Sequence, residues 1–377
     1  MRIFALLLCI VLLTGCGSSP VKAPTQEQPT QAETQSPAPL PTEAPDPIGE
    51  IISRMSLEER VGQLFLARCD NEVALNDIEA YHLGGFVLFA QDFEAETPDS
   101  LRQKLSGYQS AAKIPMLLAV DEEGGSVTRV SRYPAFRDTP FPSPRKLYAN
   151  GGMEAVLLCE KEKCELLSSL GLNVNLAPVC DITTEPRAFL YQRSLGQSPE
   201  ITSDFIRDTV KQMGSSRVGS CLKHFPGYGN NDDTHTGIAV DSRSLQELEE
   251  RDLCPFRAGI AAGCDAILVS HTIVEALDPE MPASLSPAVH RYLRKSLGFS
   301  GVIVTDDLVM EAITDLYGAG EAAVLAALAG NDLLCSTEYR VQYEAVLDAV
   351  LTARIDFDTL NNAVRNVLEW KMELGLI

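Results

Sequence analysis

The sequence predicts an α/β fold, a single (β/α)8 barrel of the TIM type, and three observations predict it. Short apolar runs recur eight times between residues 48 and 377. The stretches between them carry apolar residues at helical spacing. Polar and charged residues gather directly after the runs rather than inside them. Runs that are apolar throughout suit strands buried on both faces, the pattern of parallel sheets. Strand and helix alternating eight times builds a barrel, whose chemistry sits at the carboxyl ends of the strands. An open doubly wound sheet fits the same alternation and is the structural alternative.

The amino-terminal stretch lies outside this pattern. Residues 1–16 open with one cation, Arg2, and an apolar run from Ile3 to Leu13. That run is too short to span a bilayer and has the shape of a signal-peptide core. It closes on Leu13-Thr14-Gly15-Cys16, which resembles the lipobox of bacterial lipoproteins. The resemblance implies cleavage before Cys16, lipid on its thiol, and an extracytoplasmic protein anchored to the bacterial cell membrane. An ordinary signal peptide with a chance cysteine is the plainer reading. Residues 17–47 hold eight prolines among Thr, Gln, Glu, Ser and Ala, with no aromatic side chain. Such a segment buries too little apolar surface to offset its ordering entropy, so it is expected to be an extended tether.

Residues 48–377 form the expected catalytic domain. The strand runs are Gln63–Ala67, Gly85–Phe89, Pro115–Val120, Leu172–Ala177, Gly219–Lys223, Ala266–Ser270, Gly301–Thr305 and Asp332–Cys335. Between them, Leu157–Leu170 and Ile201–Met213 read as amphipathic helices, and Ser244-Leu245-Gln246-Glu247 has the form of a capping box. The net charge of −21 excludes nucleic acid and anionic lipid as charge-driven partners. Of ten cysteines, Cys9 and Cys16 lie in the leader and eight in the domain. They lack paired CxxC spacing, which argues against zinc, and read mainly as buried free thiols, with one or two disulfides compatible with the compartment.

Polar residues mark the carboxyl ends of the strands: Asp121 after the third, Asp181 after the fourth, Lys223-His224 on the fifth, His271 after the sixth, Asp306-Asp307 after the seventh. Asp121-Glu122-Glu123-Gly124-Gly125 joins three carboxylates, good acceptors for sugar hydroxyls, to two glycines that allow a tight turn. Lys223-His224-Phe225-Pro226-Gly227-Tyr228-Gly229 is followed closely by Asp233-Thr234-His235. A turn there lets Asp233 orient the His235 imidazole, making it a general acid/base near neutral pH. Asp306 at a buried strand end suits a nucleophile or a metal ligand. Asp121, His271 and Asp306 together leave a metal hydrolase open at this stage.

Taken together, the motifs resemble glycoside hydrolase family 3, in its β-N-acetylglucosaminidase (β-hexosaminidase) branch. Lys223–Gly229 with Asp233-Thr234-His235 is similar to that branch's signature. Asp121–Gly125, Arg193-Ser194-Leu195-Gly196 and Gly298–Leu308 resemble three further family motifs. The resemblance implies a retaining exo-β-N-acetylglucosaminidase that removes terminal β-linked N-acetylglucosamine from cell-wall muropeptides or other glycans. Asp306 would be the nucleophile of a covalent glycosyl-enzyme, with Asp233 and His235 as the acid/base pair. Asp121, Arg129, Arg193, Lys223, His224 and His271 would contact the sugar. Neither cofactor nor metal is implied, and the protein is expected to act as a monomer. Tyr228, Leu195 and Ser126 depart from the family pattern and are expected to alter outer subsites. Asn230-Asn231-Asp232 is a shortened loop before the acid/base pair. A phosphorylase on the same fold and a non-catalytic sugar-binding lipoprotein are the competing functions.

Overall fold

The computed structural model describes residues 45–229 and 237–377. The expected leader, Cys16 and most of the tether lie outside the described residues, as do Asp233 and His235. Residues Asp46–Ile377 form one compact unit.

Among the described residues ten strands follow in chain order: β1 (Phe65–Arg68), β2 (Gly85–Leu88), β3 (Leu117–Val120), β4 (Val174–Asn175), β5 (Gly219–Phe225), β6 (Val240–Asp241), β7 (Ala266–Val269), β8 (Ile273–Val274), β9 (Val302–Thr305) and β10 (Leu334–Ser336). Eight of them pair in parallel in the order β10-β1-β2-β3-β4-β5-β7-β9. A parallel bridge between Val304 and Leu333 joins the two ends and closes the barrel. The eight strands are the eight apolar runs, shifted by a residue or two at their ends. β6 and β8 form a separate two-stranded parallel ribbon after the fifth and sixth barrel strands, which the sequence did not reveal.

Alternation along each strand fills the barrel on both sides. Leu66, Val87, Ala119, Val174, Leu268 and Val304 belong to an inner cluster with Trp370. Their strand neighbours Phe65, Phe86, Leu88 and Leu118 point outward into the core under the helices. Gly219 is required here, because a Cβ on it would come within 2.8 Å of the Trp370 ring.

Helices cover the outside. The expected Leu157–Leu170 is the second half of Pro144–Leu170, which is broken by non-helical Gly151 and Gly152. Pro199–Ser215 contains the expected Ile201–Met213 and starts on a Ser198 cap. The Ser244 hydroxyl accepts from the Glu247 N–H while Glu247 accepts from the Ser244 N–H, so the capping box is made. All eight domain cysteines are free, seven of them buried. No single described helix is long and apolar enough to cross a membrane.

Candidate active site

A cavity of about 630 Å³ opens at the carboxyl end of the barrel. Seven of the eight barrel strands deliver a side chain to it from their last residues or just beyond: Arg68, Phe89, Asp121, Leu176, Lys223 with His224, Asp306, and Cys335. The remaining strand, β7, contributes Leu268. Of the expected sugar contacts, Asp121, Arg129, Arg193, Lys223 and His224 all line it, together with Asp306.

The three consecutive carboxylates after β3 have three different jobs. Asp121 faces the cavity and accepts from Lys223 Nζ at 2.5 Å, with the Arg129 guanidinium 3.9 Å away. Glu122 turns inward and is fully buried. It accepts from the Arg129 and Val130 N–H groups, both at 2.8 Å, and from the Ser131 hydroxyl at 2.5 Å. It therefore fixes the loop that presents Arg129. Gly124 and Gly125 turn this loop with φ of 99° and 66°. A Cβ on Gly124 would lie 2.4 Å from the Pro142 carbonyl oxygen, so the turn needs glycine for space as well as for φ.

Glu123 is the buried hub. It accepts from Arg193 Nε at 2.9 Å and from a terminal Arg193 nitrogen at 2.7 Å, and Lys223 Nζ lies 2.7 Å from it. Burial works to raise its carboxyl, but the adjacent Lys223 and Arg193 charges win and hold it well below the usual carboxylate range. Lys223 is the mirror case: burial works to lower it, and Asp121 and Glu123 lift it above the ordinary lysine value. Both cations thus stay charged and point at the cavity without side-chain freedom to spare.

His224 is held from both sides. The Asp181 carboxylate accepts from the His224 N–H at 3.0 Å and lies 2.8 Å from Nδ1. Nε2 lies 3.1 Å from a terminal nitrogen of Arg193. Arginine only donates, so Nε2 accepts and the proton sits on Nδ1, directed at Asp181. Asp181 also accepts from the Tyr228 N–H at 2.7 Å, tying the start of the following loop to β4. Further along, Arg243 bonds the Gly227 carbonyl at 3.0 Å and the buried Asp241 and Asp252, so the chain on both sides of residues 230–236 is clasped together.

After β9 the two aspartates separate. Both line the cavity, and Asp306 Oδ1 accepts from the Asp307 N–H at 2.9 Å. Asp307 Oδ2 accepts from the Thr337 hydroxyl at 2.6 Å, and Oδ1 from the Thr337 and Val309 N–H groups at 3.1 and 3.2 Å. Burial, the largest influence, raises the Asp307 carboxyl. The Asp307 oxygens thus brace the rim through Thr337 and Val309.

Three expectations change. His271 is fully buried, with Nδ1 2.7 Å from the Ser284 hydroxyl and Nε2 3.0 Å from the Asp307 carbonyl. It has no exposed surface from which to contact a sugar, and holds the turn that carries Asp306. Leu195 is fully buried in a core cluster with Phe205 and Ile206, so it packs the barrel wall rather than an outer subsite. Tyr228 is likewise buried, its ring set edge-on to His224 at 5.4 Å. Ser126 does line the cavity. Among the described residues, no three His, Cys, Asp or Glu side chains converge in a way that could hold a metal ion.

The sequence reading placed Glu122, Glu123 and Asp181 at the strand ends without their particular jobs, and missed Arg68, which lines the cavity. Glu123 and Asp181 stood in the right places, after β3 and β4, but nothing in the sequence named their partners.

A carboxylate-lined cavity, with charged donors fixed around it on the rim of a (β/α)8 barrel, defines a class: hydrolases of polar, hydroxyl-rich substrates. The chain belongs to glycoside hydrolase family 3, whose N-terminal domain matches residues 56–370, and it is a glycoside hydrolase. It is 37% identical over 265 residues to a β-hexosaminidase of Stenotrophomonas maltophilia (strain K279a), covering 68% of this chain and 77% of that one. It is 33% identical over 295 residues to a β-hexosaminidase of Xylella fastidiosa (strain M23), covering 76% and 86%. Among solved structures, a family 3 β-N-acetylglucosaminidase from Paenibacillus sp. str. FPU-7 superposes with a TM-score of 0.80 at 32% identity. That match covers 85% of this chain and 63% of the Paenibacillus chain. A β-N-acetylhexosaminidase from Beutenbergia cavernae DSM 12333 gives a TM-score of 0.74 at 28% identity, covering 84% and 99%.

Proposed function

We propose that this chain is a retaining exo-β-N-acetylglucosaminidase with Asp306 as its nucleophile. One observation carries the reading: Asp306 lines the same cavity as Asp121, Arg193, Lys223 and His224, and its neighbour Asp307, which lines it too, has both oxygens accepting from Thr337. The similarity to β-hexosaminidases supports the choice of sugar.

A terminal N-acetylglucosamine enters the cavity, where Asp121 accepts from its hydroxyls and Arg193, Lys223 and His224 orient it. Asp306 attacks the anomeric carbon as the glycosidic C–O bond breaks. His235, oriented by Asp233, gives its proton to the departing oxygen. Water then attacks the anomeric carbon of the glycosyl ester, His235 takes its proton, and Asp306 leaves. An imidazole in place of the usual second carboxylate fits a protein whose acid/base must work near neutral pH.

The amino-terminal residues support an extracytoplasmic setting. Lipid on Cys16 would anchor the protein, residues 17–47 would hold the domain away from the membrane, and cell-wall fragments ending in β-linked N-acetylglucosamine would be its substrates. The enzyme is proposed to act as a monomer.

The test compares an aryl β-N-acetylglucosaminide with an aryl β-glucoside, with and without phosphate, beside Asp306→Asn. The expected result is strong preference for the N-acetyl sugar and a fall of at least about 10⁴-fold in kcat for the variant. A folded protein that turns over neither glycoside sinks the proposal, and an absolute need for phosphate reassigns it to phosphorolysis.

A further inference from the structure

A second cavity, of about 360 Å³, opens on the flank of the barrel near the amino ends of β9 and β10, the end opposite the active site. Arg294 places it there, because its guanidinium donates to the Gly301 carbonyl, just before β9, and to Asp332, just before β10. Two buried polar atoms of its lining residues lack a hydrogen-bond partner, His290 Nε2 and Asn331 Oδ1. Asn331 Nδ2 donates to the Ser284 and Ala326 carbonyls, both at 2.7 Å, which leaves Oδ1 as an open acceptor. His290 Nδ1 lies 2.8 Å from the Ser286 carbonyl oxygen, which only accepts, so the ring proton sits on Nδ1. Burial holds this histidine below its ordinary value, outweighing Asn331 and the Ser286 carbonyl, so the ring is neutral and Nε2 accepts.

Two acceptors cannot satisfy each other, and a buried acceptor without a donor is costly. The donors must come from what fills the cavity, whose size is that of a small-molecule site. The rim adds charge. Arg291 and Lys295 are exposed, one turn apart on the helical stretch 287–296, and no carboxylate among the described residues forms an ion pair with either. Like charges at that spacing oppose the helix that carries them. The same stretch winds into a π-helix at Tyr292–Ser296, a form that recurs at functional sites. Arg294 is already answered by Asp332, whose other oxygen accepts from Asn366 at 2.8 Å. The cavity thus presents three cations to one carboxylate, in a chain of net charge −21.

We propose that this cavity is a second ligand site, for a small polyhydroxylated anion. Neighbouring hydroxyls donate to His290 Nε2 and Asn331 Oδ1, and the anionic group sits between Arg291 and Lys295, where charge-assisted bonds form. An acidic sugar and a polyol phosphate share this chemistry. The site lies at the other end of the barrel from Asp306, so the two sites fill independently.

The full chain is titrated by calorimetry with glucuronate, glucose 6-phosphate, glucose and cyclohexanecarboxylate. Beside it stand the double variant Arg291→Gln, Lys295→Gln and the single variant Asn362→Trp, whose ring fills the cavity. The wild type is expected to bind glucuronate or glucose 6-phosphate about tenfold more tightly than glucose, the size of one charge-assisted hydrogen bond. Cyclohexanecarboxylate has the ring and the charge without the hydroxyls, and should bind about tenfold more weakly than glucuronate. The double variant should bring the anions to the level of glucose, and Asn362→Trp should abolish their binding. The preferred anion tells an acidic sugar from a polyol phosphate. Both variants should keep the wild-type urea midpoint and the wild-type rate on the aryl β-N-acetylglucosaminide, and Asp306→Asn should bind the anions unchanged. A wild type that cleaves no glycoside therefore sinks the glycosidase reading and leaves this result standing. Failure of both sugar anions to bind overturns the site and leaves water as the donor to His290 and Asn331. Equal binding of glucuronate and cyclohexanecarboxylate, or binding that survives Asn362→Trp, overturns it as well.

Discussion

Replacing Glu123 by Gln removes one charge and little volume from the centre of the site. The carboxylate is almost fully buried and faces three cationic nitrogens: Arg193 Nε at 2.9 Å, and a terminal Arg193 nitrogen and Lys223 Nζ at 2.7 Å. Glutamine keeps one acceptor oxygen and turns an NH2 group toward donors, so at least one of the three contacts becomes repulsive. Removing one partner of a buried ion pair costs about 3–5 kcal/mol. Lys223 retains Asp121 at 2.5 Å, which places the expected loss at the lower end, about 3 kcal/mol. Urea unfolding should show this as a lower midpoint with an unchanged slope. Arg193 and Lys223 would shift in the cavity, and a displacement near 1 Å lowers kcat/KM by about 10²-fold. The pH dependence has a definite sign. The folded-state pKa of Glu123 lies below its ordinary 4.5, so its contribution is complete above that value and is lost only as pH falls below it. The wild type and Glu123→Gln should therefore differ by a constant amount from pH 6 to 8 and converge under acid conditions. A variant with wild-type midpoint and kcat/KM within threefold would show that Glu123 is not the hub described here.

Further predictions concern groups around this centre. His271→Ala removes the donor to the Asp307 carbonyl and should lower kcat about tenfold with little change in KM, whereas a large KM change would return His271 to the sugar. Lys371 is fully buried, its Nζ donates to Gln63 Oε1 at 2.6 Å, and burial lowers its pKa to about 7. Between that value and its unfolded 10.5 the unfolded chain binds more protons, so stability rises with pH, by up to about 1.4 kcal/mol per unit. Lys371→Met should lose that rise between pH 7 and 8.5 in urea titrations, and a slope equal to wild type would contradict it. Burial pushes the Cys69 and Cys221 thiols up to about 12, and among the described cysteines only Cys254 is not buried. A thiol reagent applied to the native domain should therefore label about one cysteine, and rapid labelling of several would show that the core opens.

Much of the architecture was written locally. Each barrel strand is apolar on both faces, so a run such as Gly85–Phe89 or Gly301–Thr305 can be recognised without knowing its neighbours. The Ser244 capping box is also a local feature and was correctly placed. The β6–β8 ribbon was not legible, because two-residue strands carry no period.

The sequence by itself determined the barrel, the rim position of the polar residues and the motifs that mark the family. Only the tertiary structure decided how those residues divide the work. Asp121, Glu122 and Glu123 are chemically alike and adjacent, yet one faces the cavity, one pins a loop through Arg129 and Val130, and one holds Arg193 and Lys223. Asp306 and Asp307 separate in the same way, through Thr337 some thirty residues further on. His271 moved from sugar contact to support for the same reason, through Ser284 and the Asp307 carbonyl. A side chain's role is set by its partners and by its access to water, and folding brings those partners from distant parts of the chain. Strand and helix patterns repeat over a few residues, so they survive in the sequence. A hydrogen bond between Glu123 and Arg193 spans seventy residues and leaves no local trace.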